Sequence, residues 1–127
     1  MKTDLNFVHG GDVFFVRFPY EENINKPAEK VHPCIVLDID DAGRVLFAYG
    51  TSHNATALLS HEFAITEKGD GIEAMEEAGL EKDTRFDLSR RRWIPMTNQW
   101  VAMKTGKVPR RLLHRLMRAA TAAGIKP

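Results

Sequence analysis

The sequence predicts a mainly β fold: a small, half-open antiparallel barrel with a short inserted helix and a longer helix at the C-terminal end. Three observations carry this prediction. Short runs rich in Val, Ile and Phe recur between turn signals. Helical periodicity is confined to two stretches, one in the seventies and one after residue 108. Finally, 127 residues make one domain, expected to span 1–127, with a core large enough to need no covalent staple. Many short strands in one small domain close on each other as a barrel.

The elements follow in order. "GDVFFVRF" (11–18) reads as a strand that opens after two glycines and stops at Pro19. Residues 20–31 are polar, with Asn, Pro and mixed charge, and form a loop of a length that is often functional. "HPCIVLDID" (32–40) is a second strand, with Pro33 at its start, where a missing N–H is tolerated. "DAG" makes a tight turn, and "RVLFAYGTS" (44–52) returns as the third strand of a hairpin. A connection at 54–60 leads to a fourth strand, "HEFAIT". In "GDGIEAMEEAGL" the Asp70–Glu73 spacing is that of a capping box, and Gly79 suits a left-handed C-terminus. Short strands are expected at 84–88, 91–96 and 99–104. Pro109 suits the first turn of the last helix. There Leu112, Leu113, Leu116, Met117 and Ala120 form one apolar stripe, and Gly124 ends it.

Composition excludes several classes. No apolar run approaches a membrane span, and the opening "MKTDLNFVHGGD" has no apolar leader core. The single cysteine, Cys34, precludes an internal disulfide and fits a reducing cytoplasm, the expected location. It lies in the apolar run "CIVL" and reads as a small buried hydrophobe. The net charge of +1 hides an asymmetry. Residues 1–83 carry seven basic and sixteen acidic side chains, whereas residues 84–127 carry eleven basic and one acidic, Asp87. Two readings stand: a polyanionic or acidic partner, or halves that interleave and cancel locally.

Chemistry-bearing residues are few. The five histidines lack the spacing of a metal site, so no metal and no cofactor is expected. "KTGK" at 104–107 lacks the first glycine of a phosphate loop. Thr51, Ser52 and His53 end the third strand. On extended chain Thr51 and His53 share a face, where a hydroxyl and an imidazole can hold phosphate and move a proton. A plain polar strand end is the other reading. His32 opens the partner strand, and counting from the turn sets it opposite position 52, near enough to share one ligand. It too can be an ordinary strand-end histidine, and a slip of one residue would change its face. After residue 84, Arg85, Arg90, Arg91, Arg92, Trp93 and Trp100 offer phosphate forks and aromatic faces. Alternation with other apolar residues favours the core for both tryptophans.

The order of these motifs resembles the MazF/PemK-like toxins of bacterial toxin–antitoxin systems. The resemblance rests on "GGDVFFVRF", "EKVHPCIVL", "AYGTSH", "GLEKDTRFDLSRRRWIPM" and "GKVPRRLLHRLM" in that order, over residues 10–124. It implies a partly open SH3-like barrel and a homodimer. It also implies metal-independent cleavage of single-stranded RNA, with the ribose 2′-hydroxyl attacking its own phosphate, and an antitoxin with an acidic segment as partner. The family's catalytic threonine falls on Thr51. Its catalytic arginine falls on His32, a departure, since imidazole cannot supply a permanent forked charge. Three outcomes follow: acid–base work shared by His32 and His53, a charge from another arginine such as Arg17 or Arg85, or binding without cleavage. Arg17, Lys30, Ser52 and Arg85 are the expected substrate-binding residues. The alternatives to an endoribonuclease are an inactive nucleic-acid- or antitoxin-binding module and a gyrase-directed toxin, since that barrel is shared with gyrase poisons.

Overall fold

The computed structural model describes residues 8–56 and 58–125. The opening segment read for a leader therefore lies mostly outside the described residues. Six strands form one sheet: β1 (Asp12–Val16), β2 (His32–Ile39), β3 (Arg44–Thr51), β4 (Glu62–Ile65), β5 (Thr84–Pro95) and β6 (Val101–Lys107). Their order is β4-β5-β3-β2-β1-β6, and every neighbouring pair is antiparallel. The sheet does not close on itself, as the half-open prediction has it. Two short helices, α1 (Glu67–Asp70) and α2 (Ile72–Ala78), follow β4, and α3 (Leu113–Ala122) follows a single 3-10 turn after β6. No described helix is long and apolar enough to cross a membrane.

Both faces of the sheet are buried, and strand alternation divides the core accordingly. Val13, Ile35, Ala48, Phe86 and Leu88 pack with Met75 and Ala78 of α2 and Leu116 and Ala119 of α3. Phe14, Val16, Cys34, Val36, Val45, Phe47 and Ile94 form the other cluster, joined by Phe18 and Trp100 from outside the strands. This two-sided burial explains why β1 reads as an unbroken apolar run rather than an alternating one. Trp100 packs on core as expected, whereas Trp93 is 40% exposed, with Arg44 over its ring.

Three local readings are corrected. Asp70 does not cap a single helix. It ends α1, its carboxylate accepts from the Thr66 N–H at 2.9 Å, and Arg115 reaches it at 2.8 Å. Gly71 then separates α1 from α2. The stretches 84–88 and 91–96 are one strand, because β5 runs through both and absorbs an irregularity between them. The hairpin count also shifts. Ile39 opposite Val45 and Asp38 opposite Leu46 follow the count from the turn. A bulge at Leu37 then sets Val36 opposite Phe47 and Cys34 opposite Tyr49. Continued two residues, this register brings His32 level with Thr51 rather than Ser52. Opposed residues of an antiparallel pair share a face, so the bulge decides which side chains His32 meets.

Gly50 permits this approach. A Cβ there would collide with the carbonyl oxygen of Pro33 and lie 2.8 Å from the Phe86 ring. Gly50→Ala is therefore expected to destabilise the fold by about 2 kcal/mol or more, as overpacking against backbone does. Urea denaturation checks this, and a midpoint equal to wild type would show that the two strands part without cost.

Candidate functional site

The ends of β2 and β3 border a cleft of about 260 Å³. His32, Thr51 and Ser52 line it, with Glu81, Lys82 and Thr84 from the segment after α2. An imidazole, hydroxyls and an ammonium thus surround one opening. The segment arrives there because Gly79, at φ 70°, ends α2 in the left-handed region. Thr84 is buried and its hydroxyl donates to the Lys82 carbonyl at 2.8 Å, fixing the turn that carries the lysine.

His32 is half-buried and packs against Tyr49, ring centroids 4.9 Å apart. The Tyr49 hydroxyl lies 3.4 Å from Nδ1 and donates to it in the tautomer that carries its proton on Nε2. Burial, then the nearby Arg90 guanidinium and Lys30 ammonium, hold the His32 pKa below the ordinary 6.5. The ring is neutral at neutral pH, so it can accept a proton but supplies no standing charge. Two residues on, Cys34 is fully buried and its thiol is pushed up to about 12, mainly by burial. It is a packing residue and not a nucleophile.

The remaining expected site residues are placed as follows. The Thr51 hydroxyl accepts from the His53 backbone N–H at 3.1 Å, which turns the chain at the strand end. Because β3 stops at Thr51, strand alternation does not extend to His53. His53 stands exposed on the turn and is not among the residues lining the cleft. Arg85 sits opposite Thr51 across the β3–β5 ladder, and its side chain pairs with Glu62 at 3.4 Å. Arg17 donates to the Glu29 carbonyl at 2.8 Å and so clamps the 20–31 loop. Lys30 and Ser52 are exposed.

Two residues near the site were not singled out for it by sequence reasoning. Lys82 lies in "GLEKD", where nothing local points to the strand ends. Arg90 stacks over Tyr49, its guanidinium carbon 4.1 Å from the ring centroid. Its place in an arginine triplet was visible, but its orientation was not. Among the described residues no three His, Cys, Asp or Glu side chains converge as a metal-ligand group.

The charge asymmetry is partly internal. Arg85–Glu62, Lys104–Asp12 and Arg115–Asp70 each join the basic half to the acidic half. Arg91 and Arg111 donate to backbone carbonyls.

The lowered His32 pKa has a signed consequence. Between that pKa and 6.5 the folded chain binds fewer protons than the unfolded one. The stability contribution is therefore fully present above 6.5 and is lost as pH falls through the folded pKa. His32→Asn should flatten this slope, measured by urea denaturation between about pH 7.5 and about pH 5. A slope identical to wild type would assign the proton uptake elsewhere.

Comparison with known proteins bears on this fold. No family model matches the sequence, and no curated protein matches it. Solved structures do match. The Mycobacterium tuberculosis toxin MazF-mt6 superimposes with a TM-score of 0.63 at 14% identity, over 89% of this chain and 95% of that one. An endoribonuclease in complex with its cognate antitoxin, from a mycobacterial species, gives 0.61 at 12% identity, over 93% and 96%. A further mycobacterial endoribonuclease gives 0.62 at 12%, over 98% and 99%. The six-stranded open sheet with its C-terminal helix is the fold of the MazF-like toxins.

Proposed function

We propose that this protein is an endoribonuclease that cleaves single-stranded RNA and acts as the toxin of a toxin–antitoxin pair. The observation that carries the proposal is the cleft at the ends of β2 and β3, where His32, Thr51, Ser52 and Lys82 meet. The fold shared with the toxin and the endoribonucleases above supports it.

The chemistry follows from the groups. Neutral His32 takes the proton of a ribose 2′-hydroxyl, and the freed oxygen attacks the adjacent phosphorus. The bond to the 5′-oxygen breaks. That oxygen leaves with a proton drawn from the open mouth, where the exposed Lys82 ammonium is the available acid. The products are a cyclic phosphate and a 5′-hydroxyl. The Thr51 hydroxyl accepts from the His53 N–H, so its own proton is free to point at a non-bridging phosphate oxygen. In this proposal the cleavage runs on side chains alone. A partner antitoxin with an acidic segment would cover the same opening, and two copies of the chain would lengthen the RNA track.

A second reading, binding without cleavage, is favoured by one observation: His32 is held neutral where a permanent charge would stabilise the phosphorane. Incubation with a long mixed-sequence RNA in EDTA, with mapping of the new 5′ ends, separates the two. Discrete 5′-hydroxyl ends support the enzyme, and intact RNA bound at low salt supports the binding module.

Thr51→Ala and His32→Ala should each slow cleavage by about 100-fold or more, the scale of losing general-base help or a charge-stabilising donor. The acid limb of the pH–rate profile should lie below 6.5, following the lowered His32 pKa. Wild-type rates in both variants would remove these residues from the chemistry.

A further inference from the structure

A second cleft, of about 280 Å³, is lined by Phe18, Glu21, Asp87, Arg90, Arg91 and Arg92 among others. Its construction begins with an irregularity in β5. Ala48 of β3 faces Arg91, but the next residue, Tyr49, faces Asp87. Leu88, Ser89 and Arg90 are therefore extra residues on β5 with no partner on β3. Bulges of this kind re-aim side chains beside functional sites. Here the bulge drops Leu88 into the helix-side core and brings Arg90 to the opposite face, over Tyr49.

Arg90 is held there by rings. Its guanidinium carbon is 4.1 Å from the Tyr49 centroid and 5.6 Å from that of Phe18. Its buried Nε has no hydrogen-bond partner among the described residues. The carboxylate nearest in sequence, Asp87, is engaged by the Ser89 N–H at 2.9 Å and by His61 at 3.5 Å. Arg92, opposite Phe47, is exposed two residues along the strand. Arg91 between them behaves differently: its Nη1 donates to the carbonyls of Leu88, at 2.9 Å, and Ala123, at 3.4 Å. One arginine of the triplet is thus built into the fold, while Arg90 is positioned by aromatic stacking and keeps its fork for another partner.

We propose that Arg90 binds a phosphodiester of the RNA strand next to the one held at Thr51, so that a permanent charge anchors the strand beside the neutral His32. The inference rests on the endoribonuclease reading and extends it to a second phosphate subsite. The guanidinium fork matches two phosphate oxygens, and ring stacking holds it ready without a competing carboxylate. Tyr49 touches a residue of each cleft: its ring centroid is 4.9 Å from that of His32 and 4.1 Å from the Arg90 guanidinium carbon. Glu21 stands exposed at the rim and is the one carboxylate that opposes an incoming anion there without a described partner.

The test uses the full chain and a short mixed-sequence 2′-O-methyl RNA, which binds without being cut. Arg90→Ala should weaken binding by about tenfold or more, the scale of a charge-assisted contact. It should also reduce the salt slope of log affinity by about 0.7, one phosphate contact to a single strand. Arg90→Lys should restore the slope but regain affinity only in part, because the fork is gone. Arg118→Ala, on the exposed face of α3 outside both clefts, should leave RNA affinity unchanged. Wild-type binding that Arg90→Ala leaves intact, slope included, overturns the subsite alone. A wild type that does not bind the oligonucleotide at all overturns the subsite and the endoribonuclease reading together. If Arg90→Ala weakens binding of a short polyglutamate but not of RNA, the surface serves an acidic protein segment and the subsite is wrong.

Discussion

Strand β3 is the rail on which this molecule is assembled. It pairs with β2 on one side and β5 on the other, and each ladder carries one break in register. The break at Leu37 moves the start of β2 by one residue relative to β3, which sets His32 level with Thr51. The break at Leu88, Ser89 and Arg90 feeds extra chain into β5 and carries Arg90 over Tyr49. An unbroken pair of ladders would keep the same core strands but deliver different side chains to the strand ends. Gly50 completes the arrangement, because a side chain there would push the Pro33 carbonyl away from β3.

The electrostatics of this end follow from the same packing. Burial takes His32 partly out of water, and two nearby cations oppose its protonation further. This end of the sheet thus sets a neutral imidazole beside the Arg90 guanidinium and the Lys30 ammonium. Cys34, two residues away on the same strand, shows the limit of the trend: fully enclosed, it is held as a neutral thiol. Elsewhere the charges are structural. Asp70 sits nearly buried under Arg115, and Glu62 under Arg85, so part of the excess of each half of the chain serves to hold α3 and β4 in place.

Ring contacts do work that ion pairs do elsewhere. Phe18, Tyr49 and His32 form a run in which neighbouring centroids are 5.3 and 4.9 Å apart. Arg90 lies over this run rather than against a carboxylate. A cation held by quadrupoles keeps its donors available, whereas one held by a carboxylate has used them. Arg91 and Arg85 illustrate the second case, committed to carbonyls and to Glu62 respectively.

The sequence by itself determined the elements. Apolar runs of β-rich composition marked all six strands, and the apolar stripe around Leu116 marked the last helix, because burial writes its period directly into residue order. It also marked His32 as a neighbour of the Thr51–His53 segment at adjoining strand ends, from the turn at 41–43 alone. Tertiary structure decided what happened past each bulge. A bulge inserts residues without changing the apolar pattern on either side, so 84–88 and 91–96 read as two strands and the hairpin count ran one residue off. The same reason separated His53 from the cleft, since alternation holds within a strand and β3 ends at Thr51. Lys82 and Arg90 reached the site through a helix cap and a bulge, contacts between distant segments that no local period encodes.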